Sequence, residues 1–353
     1  MMNNLLQKLD HYYKTKKLSY QDFQYIMTME DGQALFSYAR GLSLKNFSNE
    51  IYIRALIEIS TYCKNNCLYC GLRRDNKKVT RMRLDEETIF QRAKKARSYG
   101  LKTLVLQGGE DDYYNKEKVV SIIKRLKTNF PEMALTLSLG ERSFEDYKAF
   151  KEAGVDRYLL RHETASPDHY ARLHEKDRSL KTRIEALRQL KELSYQVGCG
   201  MMIGSAYQKL EDLYQDLLFI LDLKPQMVGL GPFIPHRDTP FRDFPQGPLE
   251  ETLRMLSLVR IGDEKVLLPA TTALASIDPE GREKGILAGA NVLMPNVGDE
   301  DLRKNYQLYD HKIGTEIENK DDFLLLEEKL DKIGYKISFQ RGDYPELKGE
   351  EDV

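Results

Sequence analysis

Three cysteines, Cys63, Cys67 and Cys70, stand in the segment Cys63-Lys-Asn-Asn-Cys67-Leu-Tyr-Cys70, directly after an apolar run. The chain has one other cysteine, Cys199. Thiolates are the usual ligands of iron–sulfur clusters. Three of them at this spacing suit a cubane whose fourth iron has no protein ligand. An open position on a metal centre is a place for chemistry. A structural zinc site is the other reading, and it asks for four ligands in a closed tetrahedron. The next histidine along the chain is His162, so no second ligand pair completes a local knuckle. The cluster is the better reading of these residues.

Such a loop needs a frame. From Ile51 onward, apolar runs of five to eight residues alternate with helical patterns of about a dozen, the signature of βαβ units and a parallel sheet. The strand candidates are 51–59, 103–107, 134–139, 157–161, 200–203, 227–230, 266–268 and 291–294. Helical patterns cover 88–99, 116–128, 144–153, 181–197, 210–223, 249–261 and 281–290. Gly154 follows the third of these as a C-cap. Eight repeats predict an α/β fold of the (βα)8 TIM-barrel type, and an open barrel of six repeats is the alternative. Residues 1–48 read as an N-terminal helical extension, with Ser19 as an N-cap ahead of 20–28. Residues 49–312 read as the barrel. Residues 313–353 read as a charged tail with one more helix over 316–332, and the last ten residues are expected to be disordered.

Composition removes several classes of function. Lys and Arg total 54 against 55 Asp and Glu, a net charge of −1, so no bulk field favours nucleic acid or a membrane surface. No apolar stretch has the length of a transmembrane helix. Residues 1–10 lack the basic head and apolar core of a signal peptide. Four cysteines, three of them clustered, make no disulfide framework. A cytoplasmic location is expected, and an oxygen-sensitive cluster fits it.

In a parallel barrel, function gathers where strands end. The first strand runs into the cysteine loop, which continues Arg73-Arg74; these arginines either offset charge at the cluster or form a solvated turn. The second ends Gly108-Gly109-Glu110, where paired glycines let a ligand approach the backbone. The third carries Thr136 and ends in Gly140-Glu141. The fourth ends Arg161-His162-Glu163-Thr164, polar residues that a core strand does not need. Arg161 can grip a carboxylate bidentately and Glu163 can accept from an amine or hydroxyl, whereas His162 reads as a wall residue. Arg183 is a further anion-binding candidate. The pair Met201-Met202 reads first as packing, and Cys199 as a small buried residue. Gly229 and Gly231 leave room beside the sixth strand for something bulky. Thr271 and Thr272 offer paired hydroxyls to an anion, and Tyr306 and Tyr309 are placed to roof the cavity.

The cysteine spacing, with Tyr69 before its last member, resembles the signature of the radical S-adenosylmethionine (SAM) enzymes. The stretches CLYCGLRRDN (67–76), VLQGGED (105–111), TLSLGE (136–141), DRYLLRHETASP (156–167), MVGLGPFIPHRDTP (227–240), LPATTA (268–273) and YQLY (306–309) resemble, in order, the HydE-type maturases of [FeFe]-hydrogenase. The resemblance covers about residues 45–312. It implies a [4Fe-4S] cluster on Cys63, Cys67 and Cys70, with S-adenosyl-L-methionine chelating the free iron. It implies reductive cleavage of SAM to a 5′-deoxyadenosyl radical. Tyr69, Gly108, Gly109, Glu110, Thr136, Arg161, Glu163, Arg183, Met202 and Gly231 would contact the cofactor. Thr136, Arg161, Arg183, Thr271, Thr272, Tyr306 and Tyr309 would line the substrate cavity. The implied substrate is small or organometallic, an iron–cyanide–carbonyl–cysteine synthon made by a partner maturase, and an electron donor is a second implied partner.

Two departures stand out. Some members carry further cysteines near the C-terminus, and residues 301–353 contain none, so one cluster is expected. After the fifth strand the chain reads Gly204-Ser-Ala-Tyr207, where relatives have a Gly-Leu-Pro-Gly turn. Biotin synthase shares the architecture but needs a second cluster as sulfur donor. A methylornithine-synthase-like mutase acting on an amino acid is the nearer alternative. A non-catalytic iron–sulfur carrier or scaffold is the alternative of another class; it would need no GGE element and no polar-lined barrel.

Overall fold

The computed structural model describes residues 2–298, 304–312 and 320–345. Three helices come first: α1 (Met2–Thr15), α2 (Tyr20–Thr28) and α3 (Gln33–Phe47). Ser19 caps α2, its hydroxyl accepting from the N–H of Asp22 at 3.1 Å. The extension is docked on the barrel. Arg254 donates to the carbonyls of Met27 and Met29, each at 2.6 Å, and the Tyr12 hydroxyl to that of Leu258 at 3.1 Å.

Strands and helices then alternate: β1 (Glu50–Ile53), β2 (Ala55–Ser60), α4 (Glu86–Ser98), β3 (Thr103–Gly108), α5 (Lys116–Asn129), β4 (Ala134–Ser138), α6 (Phe144–Glu152) and β5 (Arg157–Leu159). The short α7 (Pro167–Leu173) precedes α8 (Leu180–Glu192), β6 (Gln196–Ile203), α9 (Leu210–Leu223), β7 (Met227–Pro232) and α10 (Leu249–Gly262). The chain continues through α11 (Thr272–Ile277), α12 (Gly281–Leu287), β8 (Val292–Leu293), α13 (Lys320–Lys332) and β9 (Lys336–Ser338). Strands β2 to β7 form one parallel sheet in sequence order. Every residue of β2 and β7 is buried, as expected of strands covered on both faces.

The TIM-type architecture stands, with six laddered strands in place of eight equal ones. The ring is completed by single parallel bridges, Met227 to Leu267, Pro269 to Val292 and Leu56 to Asn296. The predicted strand at 266–268 therefore makes no ladder of its own. Proline at 269 has no N–H to give, and the N–H of Leu268 goes to the Asn291 side chain at 2.8 Å. The run 51–59 is two strands, split at Arg54: β2 enters the ring, while β1 lies between β8 and β9 in a second, three-stranded sheet.

β9 was not predicted. The tail helix begins at Lys320, and 316–319 lie outside the described residues, as do 346–353 of the tail expected to be disordered. Tyr344 and Pro345 are placed, and the segment before them seals the N-terminal ends of the strands. Asp343 pairs with Arg157 at 2.6 Å and accepts from Gln196 at 2.8 Å. The carbonyl of Gly342 accepts from Arg54 at 3.2 Å, and that of Arg341 from Thr103 at 2.8 Å. Burial pushes the Asp343 carboxyl up, but Arg157 and Arg341 outweigh it and hold the group below the usual carboxylate range. Among the described residues, no helix is long and apolar enough to cross a membrane.

Candidate active site

Ser60 ends β2 and hands the chain to the cysteine loop. The loop is braced from within by Arg81, whose guanidinium donates to the carbonyls of Leu72 (2.9 Å), Arg73 (2.7 Å), Asn76 (3.1 Å) and Thr61. Neighbours hold its edges. The N–H of Lys64 donates to the Glu110 carbonyl at 2.8 Å, that of Leu68 to Leu173 at 2.9 Å, and that of Gly71 to Leu308 at 2.8 Å. Two glycines make these approaches possible. A Cβ at Gly71 would stand 2.2 Å from the Gln307 carbonyl oxygen, and one at Gly109 would stand 2.2 Å from that of Tyr62. Arg73 and Arg74 are not among the residues lining the cavity: Arg74 is exposed and pairs with Glu175 at 3.2 Å, as a solvated turn would have it, whereas Arg73 is half-buried and donates to the Asn66 carbonyl at 3.4 Å. Arg81 is the basic residue that organises the loop, and its position eleven residues past Cys70 gave no sign of it.

The loop forms one wall of a cavity of about 340 Å³ at the C-terminal ends of the strands. Of the predicted residues, Cys63, Cys67, Tyr69, Cys70, Gly108, Gly109, Glu110, Arg161, Glu163, Arg183, Met202, Gly231, Thr271, Thr272, Tyr306 and Tyr309 all line it. Thr136 does not. It lines a separate void of about 10 Å³ with Arg54 and Arg157, toward the base. Ser138, two residues on, takes the place in the cavity. The strand face was right and the depth wrong, since residues two apart along a strand differ by about 6.6 Å in height.

Two carboxylates are set into the wall. Glu163 pairs with Arg161 at 3.1 Å, and its backbone holds φ +66, a left-handed conformation uncommon for a residue with a side chain. Glu110 accepts through Oε1 from the N–H of Glu141 at 3.0 Å. Both leave Oε2 buried without a hydrogen-bond partner among the described residues, as do Arg161 Nη2 and Thr271 Oγ1. Arg183, expected to bind an anion, already has its charge matched by Glu141 at 2.7 Å and Glu110 at 3.6 Å. Burial lowers its pKa, but these two carboxylates outweigh burial and the net shift is upward. Gly231 yields its Cβ space to Thr271, whose Oγ1 would lie 2.7 Å away; at Gly229 a Cβ would meet nothing closer than 3.9 Å, so Gly229 is the glycine that leaves room.

Sequence reasoning missed the floor and roof charges. Glu58, buried on β2, pairs with Lys312 at 2.5 Å and accepts from Asn296 at 2.7 Å. Lys312 also donates to the Tyr306 carbonyl at 3.0 Å, and Tyr306 in turn accepts from Gln107 at 3.4 Å. Arg282 joins the lining, and burial lowers its pKa to about 10. His162 lies outside the cavity, completely buried, accepting from the Gly200 N–H at 3.3 Å with Asp216 at 3.5 Å; it is the wall residue expected. Met202 both lines the cavity and packs with Leu173, Phe233 and Phe241. Cys199 is buried in the core.

Burial raises the pKa of all three loop thiols, that of Cys70 to about 12. They face one cavity, yet among the described residues no three His, Cys, Asp or Glu side chains converge as they would around a single ion. Three thiols of one loop facing one cavity fit a cubane, in which each thiolate holds a different iron. The unpartnered carboxylate and guanidinium atoms beside the loop fit a ligand that carries both an ammonium and a carboxylate.

The radical SAM superfamily model matches residues 57–220. The [FeFe] hydrogenase maturase subunit HydE of Thermotoga maritima is 48% identical over 281 residues, 80% of each chain. The 3-methylornithine synthase of Methanosarcina acetivorans is 28% identical over 284 residues, 78% of this chain and 79% of that one. The crystal structure of methylornithine synthase (PylB) superposes with a TM-score of 0.81 at 24% identity, covering 94% of this chain and 97% of that one, a likeness of fold.

Proposed function

The chain belongs to the radical SAM superfamily and, within it, to the family of the [FeFe] hydrogenase maturase subunit HydE, and from that premise we propose the roles of its residues and its substrate class. It is an enzyme of the kind that uses a [4Fe-4S] cluster and S-adenosyl-L-methionine. Cys63, Cys67 and Cys70 would hold the cluster at the lip of the cavity. When bound, cluster and SAM supply one-electron reductive cleavage of a sulfonium, the source of adenosyl radical chemistry.

The residues of the chain do the binding and the shielding. Glu110 and Glu163 each present an unpartnered carboxylate oxygen to the cationic and hydroxyl groups of SAM. Arg161 is within 3.1 Å of Glu163 and lines the same cavity, so it can grip a carboxylate from either SAM or substrate. Tyr69, Met202 and Gly229 shape an apolar wall for the adenosine. Deeper in, Thr271, Thr272, Arg282, Tyr306 and Tyr309 form a lining of hydroxyls and cationic charge that suits a small anionic substrate. Tyr306, Tyr309 and Lys312 roof it, and excluding water protects a reactive radical from quenching. The substrate we propose is the iron–cyanide–carbonyl–cysteine synthon of hydrogenase maturation, received from a partner maturase in the cytoplasm.

One observation carries the reading: three unpaired cysteines share a cavity with two carboxylates and a guanidinium, each of which leaves a buried polar atom without a hydrogen-bond partner among the described residues. A cluster carrier has no use for that lining. The test is anaerobic reconstitution with iron and sulfide, then dithionite and SAM, with 5′-deoxyadenosine and methionine measured. A cubane that cleaves no SAM would favour the carrier; bound zinc without a cluster would overturn the assignment. The maturase role is tested by adding the protein to a hydrogenase maturation mixture that lacks only this component. No gain in hydrogenase activity, with rearrangement of an added amino acid instead, would favour the mutase.

A further inference from the structure

We infer that Glu141, on the turn after β4, is a positioning residue that keeps Glu110 available for the ammonium group of SAM. The inference rests on the reading of the cavity as a SAM site. Four charges meet there, two carboxylates and two guanidiniums. Arg183 lies 2.7 Å from Glu141 and 3.6 Å from Glu110; Arg178 lies 3.0 Å from Glu141 and 3.5 Å from Glu110. Each guanidinium is thus closer to Glu141, which draws both of them off Glu110.

The same turn fixes the orientation of Glu110. The N–H of Glu141 donates to Glu110 Oε1 at 3.0 Å. Gly140 has φ +74, and a Cβ there would lie 1.9 Å from Glu110 Cγ, so the turn presses against the glutamate side chain. One oxygen is clamped, and the other is buried in the cavity wall without a partner. A clamped carboxylate whose nearest cations lie closer to another carboxylate is prepared for a new cation. Without the charge of Glu141, both guanidiniums need move only about half an ångström to reach hydrogen-bond distance of Glu110. Both face the clamped Oε1, so they would offset the charge that Oε2 offers to an incoming ammonium and leave the adenosine part of the site untouched.

The experiment is anaerobic calorimetry on the reconstituted protein with two probes, SAM and 5′-methylthioadenosine, which has the adenosine and no amino-acid group. Glu141→Gln should raise the Kd for SAM about tenfold, the scale of one charge-assisted hydrogen bond, and leave methylthioadenosine within about twofold. Glu141→Asp should keep most of the SAM affinity. Adding Arg178→Gln to Glu141→Gln should restore SAM binding, because it removes one offsetting charge; a merely structural Glu141 would make the double variant worse. Equal losses for both probes, an unchanged SAM Kd, or a double variant weaker than the single one overturns the inference. If Glu141→Gln does not fold, the Glu141→Asp and Arg178→Gln proteins decide: SAM affinity lost in the first, or weakened in the second, overturns it. A wild-type protein that binds SAM no better than methylthioadenosine fails the SAM reading itself, which separates that failure from this one.

Discussion

Cys63, Cys67 and Cys70, the Gly108-Gly109-Glu110 turn and the Arg161–Glu163 pair are each a set of neighbours in the chain, and all of them line one cavity. Cys63→Ala should abolish assembly of the cubane, read as loss of its absorbance and electron paramagnetic signal, while the thermal melt of the protein changes little, because the ligands sit on a loop. A variant that still assembles the cluster and cleaves SAM would sink the ligand assignment. What could not be read was chemistry defined by distant partners. Arg81 matters through four carbonyls spread from Thr61 to Asn76, Glu58 through Lys312, and Glu141 through two arginines some forty residues on. Nothing in their own neighbourhood marks them. Thr136 shows the limit from the other side: strand alternation selects the inward face and says nothing of which layer opens to the cavity.

At the scale of the element, the central strands were legible because burial on both faces leaves continuous apolar runs, as in β2, β3 and β4. Closure of the barrel was not, because single bridges and side-chain hydrogen bonds replace a ladder there. β9 was missed for a related reason: three residues in a charged tail owe their pairing to β1, not to their own pattern. The segment that follows predicts a measurable role. Asp343 is mostly buried against Arg157, so Asp343→Asn leaves a buried guanidinium poorly compensated, at a cost on the order of 3 kcal/mol near neutral pH. The folded pKa of Asp343 is depressed, so its contribution is complete above the unfolded value of about 3.9 and is lost as pH falls through the folded value. Denaturant melts of wild type and variant should therefore differ by a constant amount from pH 5 to 8, and the difference should begin to shrink below about pH 4. A gap that persists undiminished in acid would show that packing, not the ion pair, holds the plug.

At the scale of the whole molecule, the two ends of the barrel divide the work. The C-terminal ends of the strands carry the cysteine loop and the polar cavity, and the N-terminal ends are closed by the returning tail. A change at the base should therefore alter stability and leave the Kd for SAM as it was. The near-balance of 54 basic and 55 acidic residues supplies no long-range field, so recognition has to be local, through buried charges inside the cavity. The same whole-chain view predicts the metal content. Of four cysteines, three share the cavity and the fourth, Cys199, is enclosed in the core on β6. With no cysteine after residue 300, the chain has no thiolate set for a second cluster. Anaerobic reconstitution followed by iron and sulfide analysis should saturate at about four of each per chain, the content of one cubane, and Cys199→Ser should leave that value unchanged. Saturation near six or eight iron atoms, or a loss on replacing Cys199, would mean that ligands other than the three loop cysteines hold iron, and the single-centre reading of the molecule would fall.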